Sequence, residues 1–201
     1  MDDVSNRVRI LALAGSLRTR SLNKKLLGVA AKSATAAGAS VTTVDLKDYP
    51  LPVFDQDYEA EHGMPEHATA LKQLFLEHNG LLIASPEYNS SISAALKNAI
   101  DWISRRAEGE PMKAAFLGKA AAIMSASPGG LGGLRGLIHL RDILGNIGVL
   151  VQPDEVSISE AHAAFADDGT LNNERKQAAV ESLTQSLVRT VEGLATVSSD
   201  S

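Results

Sequence analysis

"VRILALAGSLRTRSLN", residues Val8 to Asn23, is an apolar run that stops at Gly15 and turns at once to serine, arginine and asparagine. Apolarity without clean alternation marks a strand covered on both faces, the environment of a parallel sheet. The polar residues lead into "LNKKLLGVAAKSATAAG", where Leu22, Leu26, Val29 and Ala30 fall at helical spacing and Gly38 ends the run. The stretch therefore reads as the first half of a βαβ unit.

Working outward, the same alternation recurs. "SVTTVDL" (Ser40–Leu46) is a β-branched strand, and the proline-marked "DYPLPVFDQDYEAEHGMP" after it reads as a long loop. Pro65 opens a helix over Glu66–Asn79, with Leu71, Leu74 and Phe75 on one face. "GLLIAS" (Gly80–Ser85) is a third strand. The helix "ISAALKNAIDWISRR" follows, with Ile92, Leu96, Ile100 and Ile103 as its apolar face. "KAAAIMSAS" (Lys119–Ser127) is a fourth strand, and "GGLRGLIHLRDILGNIG" a glycine-led helix whose inward residues are expected to be Leu134, Leu137, Ile138 and Ile143. "GVLVQPDEVSIS" supplies a fifth strand, broken at Pro153, and "NNERKQAAVESLTQSLVRTVEGLA" a closing helix. Residues 1–195 are expected to form a single domain, with 196–201 a disordered tail. Strands alternating with helices mean parallel crossovers, here a doubly wound α/β sandwich.

Composition narrows the function. The chain has 201 residues, 44% hydrophobic and 21% charged, which suits one α/β domain with a sizeable core. No run approaches the roughly eighteen apolar residues of a membrane span. "MDDVSNRVRI" lacks a basic segment followed by an apolar one, so no secretory signal is expected and cytoplasm is the default. A net charge of −5 without a basic cluster argues against nucleic acid. The absence of cysteine excludes disulfides, thiolate nucleophiles and cysteine-ligated iron–sulfur clusters, so redox chemistry would need a bound cofactor. The histidines show no metal-ligand spacing, and no metal is expected.

In an open α/β sheet, ligands bind beyond the carboxyl ends of the strands. Strand ends here carry unusual loops: "GSLRTRSLN" (Gly15–Asn23), "SPEYNSSIS" (Ser85–Ser93) and "SASPGGLGG" (Ser125–Gly133). The first combines Ser16, Ser21 and Asn23 with the permanent cation of Arg18 at a helix N-terminus, a natural phosphate site. It reads equally as an ordinary cap with solvated arginines. It carries neither the GxxxxGK[ST] nor the GxGxxG pattern. "SPEYN" reads as a turn, or as backbone on which a flat aromatic ligand rests while Asn89 meets its polar edge. The glycine pairs of the third loop permit close backbone approach, or merely a flexible connection. His139, in an apolar helical stretch, reads as a packed or paired residue at the core edge, and Asp55, Asp57, Glu59 and Glu61 as a solvated acidic loop.

"GSLRTRSLN", "SPEYNSSISAALKNAIDWISR" and "GGLRGLIHLRDIL", in that order and spacing, resemble the NADPH-dependent FMN reductase family. This is a flavodoxin-like group of quinone-, chromate- and azo-reducing flavoproteins, and the resemblance spans Val8 to Val151. It implies a flavodoxin-like three-layer sandwich with a five-stranded parallel sheet in the order 2-1-3-4-5 and non-covalent FMN. It maps the FMN phosphate onto Ser16, Arg18, Ser21, Leu22 and Asn23. The flavin ring maps onto Pro86, Glu87, Tyr88 and Asn89, and the closing loop onto Ser127 and Gly129. Many members carry Pro-Gly where this chain has Ser93-Ala94, which leaves the start of the next helix open.

The resemblance implies an NAD(P)H-dependent enzyme that takes electrons from NADPH or NADH and passes two of them through FMN to a small acceptor such as a quinone, flavin, azo compound or chromate. It names no catalytic residue. An alternative is a flavodoxin-like electron carrier or FMN-dependent partner-binding module without substantial NAD(P)H oxidation. A homodimer or homotetramer is expected from the family. Trp102, Arg105 and Arg106 are interface candidates because aromatic residues and arginine are enriched there, although Trp102 also suits the core.

Overall fold

The computed structural model describes residues 8–199. Strands β1 (Arg9–Ala14), β2 (Ser40–Asp45), β3 (Gly80–Ala84), β4 (Ala120–Ala126) and β5 (Leu150–Val151) form a parallel sheet in the order β2-β1-β3-β4-β5, and β6 (Val156–Ile158) also pairs with β4. Helices α1 (Leu22–Ala36), α2 (Gln56–His62), α3 (Glu66–Glu77), α4 (Ala94–Ile103), α5 (Leu134–Asn146) and α6 (Glu174–Ser199) surround it. The sandwich and strand order are those the sequence led us to expect.

The alternation of side chains along a strand divides the core in two. Ile10, Ala12 and Ala14 of β1 join Leu26, Val180 and Leu187 on the side of α1 and α6. Leu11 and Leu13, pointing the other way, join Leu71, Phe75, Leu96, Ile100 and Leu140 on the side of α3, α4 and α5. Each fully buried Leu or Ile contributes roughly 1.5–3 kcal/mol of transfer free energy. A strand apolar on both faces, as β1 and β3 are, is what a sheet covered on both sides demands.

The structure departs from the sequence reading at particular places. The loop after β2 contains α2, which has no buried residue and hence no apolar stripe to betray it. Asp55 caps that helix through the Asp57 N–H, and Glu59 grips Arg105 at 2.8–2.9 Å, so these carboxylates are structural rather than merely solvated. Trp102 is wholly buried, donates its indole N–H to the Pro52 carbonyl at 2.8 Å and stands edge-on to Phe54. It is core, not interface. On α5 the buried residues are Gly136, Leu137, Leu140 and Leu144, while Leu134 and Ile138 are 39% and 50% exposed. Gly136 explains the rotation: a Cβ there would lie 3.3 Å from both the Glu87 Cβ and the Ser91 carbonyl oxygen, so the helix seats its glycine against the loop after β3.

The fifth strand is split around Pro153, which has no N–H to give the ladder. Arg141 holds the break, donating to the Gln152 carbonyl at 2.7 Å and pairing with Glu155 at 2.9 Å. Helix α6 continues to Ser199, past Ala195 where the pattern placed its end; residues 200 and 201 of the expected tail lie outside the described residues.

Candidate functional site

Parallel strands bring their carboxyl ends to one edge. Ala14 of β1 is level with Ala84 of β3, and Ala84 with Met124 of β4. The loops after these strands begin side by side and are stitched at once, Gly15 N–H to the Ala84 carbonyl at 2.9 Å and Ser85 N–H to the Met124 carbonyl at 2.8 Å.

In the first loop Ser16 and Ser21 are buried, and Ser21 caps α1 through the Lys24 N–H at 3.4 Å. The first turn of α1 carries no acidic residue, so its N–H groups and the positive end of the helix dipole stay open to an anion. Arg18 is exposed, and its guanidinium has no partner among the described residues. Leu22 is half-buried at the first helical position. Asn23 does something the sequence does not advertise. Its buried amide both donates to the Ala126 carbonyl and accepts from the Ala126 N–H, each at 2.9 Å, joining α1 to the end of β4. These bonds fix the amide, and its backbone N–H remains for a ligand.

The second loop starts at buried Pro86 and closes in a tight turn. Tyr88 and Ser91 exchange backbone hydrogen bonds at 2.9 and 3.1 Å, with Asn89 at φ 51 and Ser90 at φ 65. Two left-handed residues in succession make a type I′-like hairpin turn. Tyr88 is 49% exposed on it. Glu87 points away from the turn: its carboxylate accepts from the N–H groups of Arg135 and Gly136 at 3.0 and 3.3 Å and from Arg135 Nε at 2.7 Å. Burial pushes the Glu87 carboxyl up, but the Arg135 guanidinium and those N–H groups outweigh it and hold it below the usual glutamate value.

In the third loop Ser127 is fixed by its backbone to Ile158 at 3.0 Å and Ala161 at 3.1 Å, and its hydroxyl accepts the Gly129 N–H at 3.2 Å. Gly129 and Gly130 are exposed and have no side chains to cover their backbone. Gly133, at φ 92, opens α5, and Ser125 Oγ beside it is buried without a partner. Ser93 resolves the start of α4. It caps the Leu96 N–H at 3.1 Å and donates its hydroxyl to the Gly15 carbonyl, so the helix begins at Ala94 and is tied to the first loop.

The donor set fits a flavin mononucleotide: an open helix N-terminus with a free guanidinium for a phosphate, and beside it an exposed aromatic side chain and glycine backbone for a flat ring. A concavity of about 660 Å³ between α1 and α6 lies elsewhere, and Lys32, Gln185 and Arg189 on its walls do not form a reactive constellation.

The family model for NADPH-dependent FMN reductase matches residues 8–163. The chain belongs to that family. An NAD(P)H-dependent FMN reductase of Pseudomonas aeruginosa is 35% identical over 92% of this chain and 95% of its own length. A quinone reductase of Escherichia coli is 36% identical over 70% of this chain and 71% of its own. Among solved structures, the flavoenzyme NAD(P)H:(acceptor) oxidoreductase FerB of Paracoccus denitrificans superposes with a TM-score of 0.78 at 30% identity, covering 92% of this chain and 98% of FerB. As an FMN reductase family member the protein is an NAD(P)H-dependent oxidoreductase whose cofactor is FMN.

Ser16, Arg18, Ser21, Pro86 to Asn89, Ser127 and Gly129 stand on the loops of this one edge, and Leu22 and Asn23 on the first turn of α1 beside them. The structure adds Ser93, Ser125, Arg135, Gly136 and His139. Ser93 carried a signal, a serine just before a helical run. The Glu87–Arg135 pairing carried none, since it joins residues 48 apart in sequence.

Proposed function

We propose that the protein is an NAD(P)H-dependent FMN enzyme that reduces a small acceptor of the quinone class. The observation that carries this reading is the acid-free N-terminus of α1, with Arg18 free beside it, on the sheet edge that also presents the SPEYN turn. In this reading the N–H groups of Leu22 and Asn23, the hydroxyls of Ser16 and Ser21 and the Arg18 guanidinium hold the phosphate. Pro86, Glu87, Tyr88 and Asn89 form one wall of the ring site, and Ser127 and Gly129 the other. FMN, when bound, supplies two-electron transfer between nicotinamide and acceptor. The side chains' task is to hold it rigidly and leave one face open to both substrates. Glu87, held ionised by Arg135, is an acceptor of hydrogen bonds at neutral pH and not a proton donor.

A homodimer or homotetramer is part of the proposal. Leu131, Leu134, Ile138 and Tyr88, each between 39% and 53% exposed on the loops and helix of this edge, supply apolar surface for a second copy. No described helix is long and apolar enough to cross a membrane. Cytoplasm is the proposed compartment, since the reductant is a nicotinamide. Purified protein is expected to be yellow, to release FMN on denaturation, to oxidise NADPH or NADH only when benzoquinone is added, and to scatter light as a dimer or tetramer. Colourless protein that stays colourless after incubation with FMN would overturn the functional reading. A monomer mass would overturn only the assembly.

A further inference from the structure

By its place in the sequence Glu87 belongs with the ring-lining residues, yet its carboxylate is only 8% exposed and is fully engaged with another element. One oxygen takes both backbone N–H groups at the start of α5, from Arg135 and Gly136; the other takes the Arg135 side chain. The N-terminus of α5 has no cap of its own, because Gly133 has no side chain to offer. Glu87 supplies that cap from 48 residues earlier in the chain. The far end of the same turn is held as well, Ser91 Oγ sharing a hydrogen bond of 3.0 Å with His139 Nδ1, one helical turn further along α5. Between these anchors lie the left-handed residues Asn89 and Ser90. Non-glycine backbone in that region persists only where the surroundings over-determine it.

We infer that Glu87 is the positioning residue of the flavin-ring seat, clamping the Tyr88–Ser91 turn to α5 so that the ring-side loops after β3 and β4 behave as one rigid body. This rests on the assignment of the SPEYN turn to the flavin ring. The Glu87 carboxylate is spent on α5, so its part in the ring wall is to set where Tyr88 and Asn89 stand. Its loss therefore weakens ring binding without regard to the phosphate.

The test compares FMN and riboflavin binding to Glu87→Ala, Arg135→Ala and the double variant, with the visible circular dichroism of bound flavin as a second readout. Glu87→Ala is expected to weaken both flavins by the same factor, about tenfold, and to change the flavin dichroism. Arg135→Ala leaves the backbone donors in place and is expected to weaken both by roughly two- to fivefold. The double variant should lose no more than Glu87→Ala alone. Should Glu87→Ala fail to fold, Arg135→Ala still decides the matter. Unchanged affinities and an unchanged flavin spectrum in a folded variant would reduce Glu87 to a helix cap and overturn the inference. A loss confined to FMN, or a missing limb in the pH profile of kcat, would overturn it in favour of a phosphate or proton role. If the wild-type protein itself takes up no flavin, the functional reading fails, which is a distinct result.

Discussion

Two of the helices that begin at this sheet edge treat their N-termini in opposite ways. Helix α1 starts with a serine cap, no acid in its first turn and an exposed arginine beside it. Helix α5 starts with a glycine in the left-handed region and receives a buried carboxylate from another loop. A helix N-terminus behaves as a partial positive charge of about half a unit. At α5 that charge is already matched by Glu87, whereas at α1 it is left for something that arrives from solution. The difference favours α1 over α5 for the phosphate in the proposed reading, a distinction that fold alone does not make, because every helix following a strand in such a sheet points its N-terminus at this edge.

The largest effect should come from disturbing the closed end. A Cβ on residue 133 would fall 2.7 Å from the Ser125 Cβ, which no rotation of the serine relieves, at a φ of 92 that side chains avoid. Gly133→Ala should destabilise the protein by roughly 2–4 kcal/mol, read as a lower urea midpoint with unchanged slope. A wild-type midpoint would mean that the start of α5 is not packed as described.

Disturbing the open end should leave the fold alone and cost binding. Arg18→Ala removes a charge-assisted hydrogen bond worth on the order of 1.5–3 kcal/mol, so FMN should bind roughly ten- to hundredfold more weakly. Riboflavin, which has no phosphate, should be unaffected, and the flavin-free melting temperature should not move. Equal small losses for both flavins would erase the contrast between the two helices. The smallest effect belongs to the turn between them. Ser90→Gly relieves a left-handed serine and should stabilise the protein by about 0.5–1 kcal/mol, seen as a modest rise in melting temperature. A drop would mean that the serine hydroxyl has a role there beyond the backbone.

Most elements of the fold were legible because they wrote a local pattern. Val8–Gly15 and Gly80–Ser85 are apolar throughout, and Leu96, Ile100 and Ile103 repeat at helical spacing. Helix α2 wrote none, since it buries nothing and is held by Asp55 and Arg105. The face of α5 was misjudged for a related reason. Helical spacing offers Leu134 and Ile138 as readily as Leu140 and Leu144, and the choice is made by Gly136, whose lack of a side chain matters only once Glu87 is beside it. The three site loops were legible as loops. What their residues do was legible only in part. Ser21 could be read as a cap from its place before Leu22, but Asn23, Glu87 and Ser93 all spend their polar groups on partners far away in sequence. Such pairings are products of topology, and a local reading assigns those side chains to the ligand by default.

The amide of Asn23, bonded both ways to Ala126, has a consequence for the order in which the molecule comes into being. It spans 103 residues, from the first turn of α1 across β2 and β3 to the end of β4. The entropy lost in closing so long a span grows only as the logarithm of its length, but it must be met before the contact exists to offset it. The loop after β1 is therefore braced late, when β4 has docked on β3. A nascent chain that has released β1, β2 and β3 from the ribosome already has every residue proposed to bind the phosphate and still lacks the brace that sets them. On the proposed assignment, a chain whose β4 has not yet docked is expected to bind FMN more weakly than the finished domain.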